Sequence, residues 1–134
     1  MRNPALFIAH SDLGGRGVFT GVPILKDDLI ELCPVIVMKV GEIPIIDKTT
    51  LYDYYFLWGD NAEQCVIALG YGSLYNHFAP SNADYGMDFD GQTIEIFAVR
   101  DIEAGEEITI NYHGDPYDES PAWFMTDGKE RSDE

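Results

Sequence analysis

The sequence predicts a mainly β, single-domain fold with several short strands in small sheets and one or two short helices. Its 134 residues are about the length of one domain, and 46% of them are hydrophobic, which is enough for a folded core. The apolar runs are short and are bounded by turn-forming residues, a pattern typical of strands rather than of long helices. We find no internal repeat and no linker.

The predicted strands follow one another closely along the chain. The runs that suit strands are ALFIA, GVFT, LIEL, VIVMKV, CVIAL, TIEIFAV and EEITI. TIEIF alternates apolar and polar residues, as a half-buried strand does. Asp90-Gly91 separates YGMDF from QTIEIFAV, which predicts a β-hairpin between these two runs.

Helix is predicted in two places. TTLYDYYFLW can form two turns with Thr49 or Thr50 as the N-cap, and GSLYNH can form one more. From about Tyr117 the sequence becomes polar and acidic. We therefore predict one domain over residues 1–124 and a flexible acidic tail over residues 125–134.

The charge of the chain limits its partners. Acidic residues outnumber basic residues by 24 to 8, which gives a formal net charge of −16. Such a surface repels nucleic acid and anionic membranes and attracts basic partners, although the same charge also serves solubility. No apolar run approaches the length of a membrane span, and the N-terminus lacks the pattern of a signal peptide. We therefore expect an intracellular protein.

The cysteine content argues against a zinc site. There are two cysteines, which cannot form a four-cysteine site. Cys33 and Cys65 lie in apolar runs, so we predict two buried thiols and no metal.

Three segments carry candidate functional residues, and each is weak alone. LGGRGVF places three glycines before a strand; it is not a dinucleotide fingerprint, because Thr20 stands where a further glycine is needed. It is either a tight turn or a place where the backbone approaches a ligand closely. NHFAPSN joins an amide to a histidine, and GEEITINY ends a strand at Tyr112. The sequence contains none of the common hydrolase motifs.

Together, in order and in spacing, GGRGVF, NHFAPSN and GEEITINY resemble the SET-domain protein-lysine methyltransferases, especially the compact viral and bacterial members. The resemblance covers roughly residues 5–124. It implies a SET-domain, β-clip-like fold in which a C-terminal segment is threaded through a loop like a pseudoknot. The chain departs from the family at Phe78, where Ser or Cys is common, and at Ser81, which separates Pro80 from Asn82. It also lacks the cysteine-rich segment that follows the domain in many relatives.

The resemblance also implies a cofactor, a reaction and a set of residues. The reaction is methyl transfer from S-adenosyl-L-methionine to the side-chain amine of a lysine, and Tyr112 matches the catalytic tyrosine. Asn82 matches a residue that holds the loop. The implied cofactor-binding residues are Gly15, Arg16, Gly17, Asn76, His77 and Tyr112. The implied lysine-channel residues are Tyr54, Tyr75, Tyr85, Tyr117 and Trp123, with Phe124 as a further candidate to close the site.

The implied substrate is a basic, lysine-rich protein or peptide, such as a histone tail. We expect no direct contact with nucleic acid or membrane, and a homodimer is among the oligomeric states that the resemblance suggests. The expected location is the cytoplasm if the source is bacterial, or the nucleus if the enzyme acts on host chromatin. The alternative is a catalytically silent β-rich domain that binds a basic peptide or a small ligand.

Overall fold

The computed structural model describes residues 1–112 and 116–118. The tail predicted over residues 125–134, together with Trp123 and Phe124, lies outside these residues. Within the described part of the chain, the strands are β1 (Leu6–His10), β2 (Arg16–Thr20), β3 (Leu29–Val37), β4 (Phe56–Trp58), β5 (Gln64–Ala68), β6 (Asn76–His77), β7 (Ala83–Asp88), β8 (Thr93–Ala98) and β9 (Glu107–Ile110). The same described residues also contain one α-helix, α1 (Ile43–Ile46), and two 3₁₀ turns, Thr50–Asp53 and Gly72–Leu74. The mainly β prediction is confirmed.

The strands form two sheets that share one core. The first sheet has the order β1-β2-β9-β6 and the second has the order β4-β5-β3-β8-β7. Neighbouring strands are antiparallel except β6 and β9, which are parallel. Buried side chains from both sheets, such as Val18 and Ile108 in the first and Ile94 and Ile96 in the second, belong to a single cluster. The two sheets therefore cover each other's apolar faces.

Strand β3 joins two runs that the sequence analysis treated separately. It pairs with β8 through Pro34 and with β5 from Val35 onward, so the proline lies where the strand changes partner. A proline lacks the backbone N–H that a central strand needs, and this position tolerates that loss. An irregularity in the pairing between Leu29 and Glu31 leaves both Ile30 and Glu31 buried.

The helices are shorter than predicted. Thr49 caps the first 3₁₀ turn, and its hydroxyl accepts a hydrogen bond from the backbone of Leu51 at 3.2 Å. The turn ends at Asp53, and Phe56–Trp58 instead pairs with β5 as strand β4. Pairing with β5 satisfies the hydrogen-bonding groups of the backbone and gives the aromatic side chains a surface to pack on. Tertiary structure therefore outweighs the helical pattern here. The short helix α1 was not predicted.

Two local predictions are confirmed. Strands β7 and β8 form the expected hairpin, in register from Ala83↔Ala98 to Asp88↔Thr93. Both cysteines are free and buried, and burial is the main cause that raises the pKa of the Cys33 thiol to about 12. Among the described residues, no helix has the length and apolar character needed to cross a bilayer.

Candidate active site

The turn between β1 and β2 is shaped by glycine. Gly14 and Gly15 have φ values of 124° and 58°, a left-handed conformation that suits glycine. The backbone N–H of Ser11 donates to the carbonyl of Gly15 at 3.0 Å and closes the turn. Of the two interpretations of this motif, a tight turn describes Gly14 and Gly15.

Gly17 has a different reason to be glycine. A Cβ at this position would collide with the side-chain carboxylate of Glu107 and would lie 3.0 Å from Nδ2 of Asn76. That nitrogen donates to the carbonyl of Arg16 at 2.9 Å and to Glu107 Oε2 at 2.8 Å. The hydroxyl of Ser11 donates to Glu107 Oε1 at 2.6 Å. The glycine segment and the Asn-His segment, far apart in sequence, therefore meet around the carboxylate of Glu107.

Asn82 fixes the loop that follows the Asn-His segment. Its Nδ2 donates to the carbonyl of Glu107 at 2.8 Å, and its Oδ1 accepts from the backbone N–H of Thr109 at 2.8 Å. Asn82 is buried, and these two bonds attach the loop to β9 by pairing backbone groups that a neighbouring strand would otherwise pair. The prediction that Asn82 holds the loop is confirmed, despite the inserted Ser81.

The parallel pair of β6 and β9 brings Tyr112 to His77. Asn76 pairs with Thr109 and His77 with Ile110, so the chain leaving β9 runs beside the Asn-His segment. The backbone N–H of Tyr112 donates to Nδ1 of His77 at 3.0 Å, and their ring centroids are 5.1 Å apart. The hydroxyl of Tyr112 donates to the backbone carbonyl of Tyr75 at 3.0 Å.

A cavity of about 510 Å³ opens beside Tyr112. Its wall contains six of the eight tyrosines in the chain, together with two aspartates. Among the residues that the structure describes, those that line it are Asp47, Tyr52, Asp53, Tyr54, Tyr55, Phe56, Leu57, Gly72, Ser73, Tyr75, Tyr85 and Tyr112. Such a wall is largely apolar but carries several hydroxyl groups that can form hydrogen bonds.

Two tyrosines of the wall are held as neutral hydroxyls. Burial, and then the nearby charge of Asp84, raise the pKa of Tyr85 to about 12. Its ring lies edge-on to Phe56 with a centroid distance of 5.1 Å. Burial, and then a hydrogen bond to Asp47, raise the pKa of Tyr55 well above its ordinary value. At neutral pH both hydroxyls keep their protons.

The predicted lysine-channel residues have different positions. Tyr54 and Tyr85 line the cavity. Tyr75 also lines it, but its side chain is buried and its hydroxyl donates to Glu31 Oε1 at 2.7 Å, so the Tyr75 hydroxyl is directed into the core. Tyr117 is 73% exposed and does not line the cavity. Trp123, the fifth predicted residue, lies outside the described residues.

The contact predicted between the side-chain amide of Asn76 and the cofactor stays a prediction, to which the structure adds the partners of its Nδ2. The two hydrogens of its Nδ2 serve the carbonyl of Arg16 and the carboxylate of Glu107. A ligand at this place can therefore meet the backbone of the segment more readily than this amide nitrogen. One of these two partners is Glu107, a residue to which the sequence analysis assigned no role.

Sequence analysis missed several other residues of the site. Glu31 is buried behind the cavity, and Asp47 and Asp53 lie in its wall. Only Glu31 gave a signal, since it stands between Ile30 and Leu32 in an apolar run where a charged side chain needs an explanation. Within the described residues, no group of three or more His, Cys, Asp or Glu side chains is placed to hold a metal ion.

Comparison with known families agrees with this arrangement. The SET domain family matches residues 15–113, which include Gly15, Gly17 and Tyr112. This chain belongs to the SET-domain family of protein-lysine methyltransferases. As a SET-domain protein it is a protein-lysine N-methyltransferase, and the resemblance inferred from its three motifs is confirmed.

Individual SET-domain relatives support the same assignment. The chain is 32% identical over 113 residues to a histone-lysine N-methyltransferase of Schizosaccharomyces pombe that is specific for H3 lysine-37; the match covers 84% of this chain and 75% of the relative. A crystal structure of a Plasmodium falciparum protein described as a histone methyltransferase matches with a TM-score of 0.68 and 29% identity, covering 91% of this chain and 98% of that one. A structure of an active polycomb repressive complex 2 in the basal state matches at 20% identity with a TM-score of 0.68, covering 81% of this chain and 15% of that one, and shows the likeness of fold alone.

Proposed function

We propose that this SET-domain enzyme transfers methyl groups from S-adenosyl-L-methionine to lysine side chains of a basic protein, with a histone tail as the first candidate. The observation that carries the proposal is the position of Tyr112. It lies at the junction of the Asn-His segment with β9 and also lines the tyrosine-rich cavity. Cofactor and lysine can therefore meet at one hydroxyl from opposite sides.

The residues around the glycine turn fit such a cofactor. The cofactor carries an amino-acid end, which needs a cationic group and backbone hydrogen bonds, and an adenosine end, which needs an apolar surface. Arg16 is exposed beside the turn, and a Cβ built at Gly14 meets no atom within 4 Å, so space is open there. Phe78 offers an exposed aromatic ring directly after His77. Gly15, Arg16 and Gly17, with the backbone of Asn76 and His77, would hold the cofactor, which supplies a methyl group bonded to a cationic sulfur.

The cavity fits the demands of the lysine. The attacking amine must be neutral, and a free lysine has a pKa of about 10.4, so neutralising it near pH 7 costs about 4–5 kcal/mol. Removal from water disfavours the ammonium form, and a nearby sulfonium charge disfavours it further. Apart from Asp47 and Asp53, the described wall consists mainly of tyrosines, with a phenylalanine and a leucine, and these side chains provide this environment. It also aligns the amine, which can supply several kcal/mol of the barrier reduction.

The role proposed for Tyr112 follows from its hydrogen bond. Its proton is directed at the carbonyl of Tyr75, so the hydroxyl oxygen presents its lone pairs to groups entering the cavity. There it can accept a hydrogen bond from the amine and weak C–H contacts from the transferring methyl group. A tyrosine hydroxyl that keeps its proton is a poor base, and this one donates its proton to the carbonyl of Tyr75, so we assign Tyr112 to orientation rather than to proton removal.

Charge supports a basic substrate. The chain carries a net charge of −16, and Asp47 and Asp53 lie in the cavity wall. These carboxylates can attract the ammonium group of an arriving lysine or a neighbouring basic side chain, while the tyrosines surround the reacting nitrogen. Long-range attraction raises the rate of encounter with a basic peptide.

The experiment that tests the proposal is incubation of the protein with methyl-labelled cofactor and a panel of basic proteins, followed by mass spectrometry of the modified residue. The matched control is Tyr112→Phe, which lacks one oxygen atom. Binding of S-adenosylhomocysteine is measured separately by the rise in melting temperature, because a ligand of the native state stabilises it.

The outcomes separate the two candidate functions. Label on lysine with wild type, and much less with the variant, supports the proposal. A silent binding domain would bind a basic peptide and transfer no label with any member of the panel. Label on a residue other than lysine would contradict the assigned reaction.

A further inference from the structure

Residues 71–75, which lead into the active site, are held by one buried carboxylate, that of Glu31. Glu31 is 2% exposed and lies on β3, outside the cavity. Its Oε2 accepts from the backbone N–H of Tyr71 at 3.0 Å, and its Oε1 accepts from the hydroxyl of Tyr75 at 2.7 Å. The two carboxylate oxygens of Glu31 therefore bind residue 71 and residue 75, the two ends of this segment.

The surroundings of Glu31 leave its carboxylate little freedom. Gly70 has a φ of 65°, and a Cβ there would collide with Glu31 Oε2, so glycine is required for the approach. The Nη1 of Arg2 lies 3.9 Å from the same oxygen, and the Arg2 guanidinium stacks over the ring of Tyr71 at 3.9 Å. A buried charge with hydrogen bonds on both oxygens and a cation nearby has one preferred position.

The segment held by Glu31 ends at Tyr75, whose carbonyl oxygen orients the hydroxyl of Tyr112. Residues 72, 73 and 75 line the cavity, and the carbonyl of Tyr75 accepts the hydroxyl proton of Tyr112 at 3.0 Å. Tyr75 thus has its side chain anchored at Glu31 and its carbonyl directed at Tyr112. If the anchor is lost, the peptide group after Tyr75 can rotate, and the Tyr112 hydroxyl then changes direction with it.

We propose that Glu31 is a positioning residue of this methyltransferase: by clamping residues 71–75 it fixes the Tyr75 carbonyl and, through it, the direction of the Tyr112 hydroxyl. This inference rests on the role proposed above for Tyr112. Burial and the charge of Glu31 raise the pKa of the Tyr75 hydroxyl, so that hydroxyl keeps its proton and remains a donor to Glu31 at any working pH.

Two variants release the clamp by different routes. Tyr75→Phe keeps the ring and removes only the anchoring hydroxyl. Glu31→Gln keeps the shape, but its NH₂ group cannot accept, so either the Tyr71 N–H loses its acceptor or the Tyr75 hydroxyl must accept instead of donate. For each we expect kcat to fall about tenfold while the dissociation constant for S-adenosylhomocysteine stays within twofold, because hydrogen-bond misalignment acts on the reacting geometry.

A matched control separates positioning from stability. Thr20→Val removes another buried hydroxyl, which donates to the carbonyl of Val22 at 2.7 Å and accepts from the Val22 N–H at 3.2 Å. It should lower the melting temperature to a similar degree and leave kcat unchanged. If Glu31→Gln does not fold, the comparison of Tyr75→Phe with Thr20→Val still decides the question.

The decisive measurement is a double-variant cycle in single turnover with labelled cofactor. If Tyr75 acts through the Tyr112 hydroxyl, Tyr75→Phe should lower the rate in wild type and cause no further loss in Tyr112→Phe. A purely structural role predicts that Tyr75→Phe lowers the rate by the same factor in wild type and in Tyr112→Phe, or that it lowers the melting temperature and leaves kcat unchanged. Either result would overturn the clamp.

Failure of the proposed function gives a different result. A Tyr112→Phe variant as active as wild type would contradict the role of Tyr112 and the clamp with it. A fully active Tyr75→Phe beside an inactive Tyr112→Phe would overturn the clamp alone.

Discussion

The hydrogen bond from Asn76 to Glu107 can be tested by changing one atom. Nδ2 of Asn76 lies 2.8 Å from Glu107 Oε2 and 2.9 Å from the carbonyl of Arg16. Asn76→Asp keeps the shape but places a second carboxylate against the first. Two carboxylates at this distance cannot both remain ionised without a large penalty, so the pKa of one of them must rise in the folded state.

The magnitude of the effect has a natural ceiling. At pH 7 an aspartate is about three units above its ordinary pKa of about 3.9, and each unit corresponds to about 1.36 kcal/mol, so protonation limits the penalty to about 4 kcal/mol. Loss of the hydrogen bond to Arg16 adds about 1 kcal/mol. We therefore expect Asn76→Asp to lower the free energy of unfolding by about 5 kcal/mol at pH 7 and by about 2–3 kcal/mol at pH 5.

The direction of the pH dependence follows from linkage. A carboxyl group whose pKa is higher in the folded state than in the unfolded state binds a proton on folding. Its contribution to stability is therefore greatest below pH 4 and is lost as pH rises toward the raised pKa. The difference in unfolding free energy between wild type and Asn76→Asp should widen from pH 5 to pH 7.

The assay is urea unfolding at each pH, with two controls. Asn76→Ala removes the amide without adding charge, so its penalty of about 2–4 kcal/mol should not change with pH. Asn76→Asp combined with Glu107→Gln exchanges donor and acceptor and should remove most of the pH dependence. An Asn76→Asp penalty that is constant from pH 5 to pH 7 would show that the two side chains do not face each other, and the described network would be wrong.

Three further predictions concern catalysis. Tyr112→Phe should keep the fold and the affinity for S-adenosylhomocysteine while kcat falls by about a hundredfold or more, as for loss of a positioned hydrogen-bonding group; unchanged turnover would remove Tyr112 from the reaction. Tyr85→Phe should carry methylation further than wild type at matched total turnover, because the neutral Tyr85 hydroxyl lines the cavity and can hold the amine or a water where another methyl group would fit; identical mono-, di- and trimethyl ratios would exclude this. The KM for a lysine-rich peptide should rise with salt while kcat changes little, because the Debye screening length shortens from about 10 Å at 0.1 M salt to about 3 Å at 1 M. A KM that does not change with salt would assign the net charge of −16 to solubility.

Much of this fold was readable from local patterns. Turn residues and two-residue alternation identify β8, and Asp90-Gly91 marks the β7–β8 hairpin. The order and spacing of three short motifs identified the family, because those motifs require particular residues at fixed positions. The same motifs named Tyr112 and His77, which the structure brings within one hydrogen bond of each other.

Tertiary structure decided what those residues contact. Ser11 meets Glu107 across 96 residues of sequence, and Glu31 meets Tyr75 across 44, so no local pattern could have paired them. Asn76 gives both hydrogens of its Nδ2 to the protein, and Tyr75, which lines the cavity, directs its hydroxyl to Glu31 and its carbonyl to Tyr112.

The physical reason for this division is the range of the interactions. Strand periodicity and turn chemistry depend on neighbours in sequence, so a single sequence determines them. The partner of a buried polar group depends on which strands lie side by side, as when β6 pairs with β9 and β3 passes from β8 to β5. Buried polar groups must find partners in whatever surroundings the packed sheets provide, and only the folded chain determines those partners.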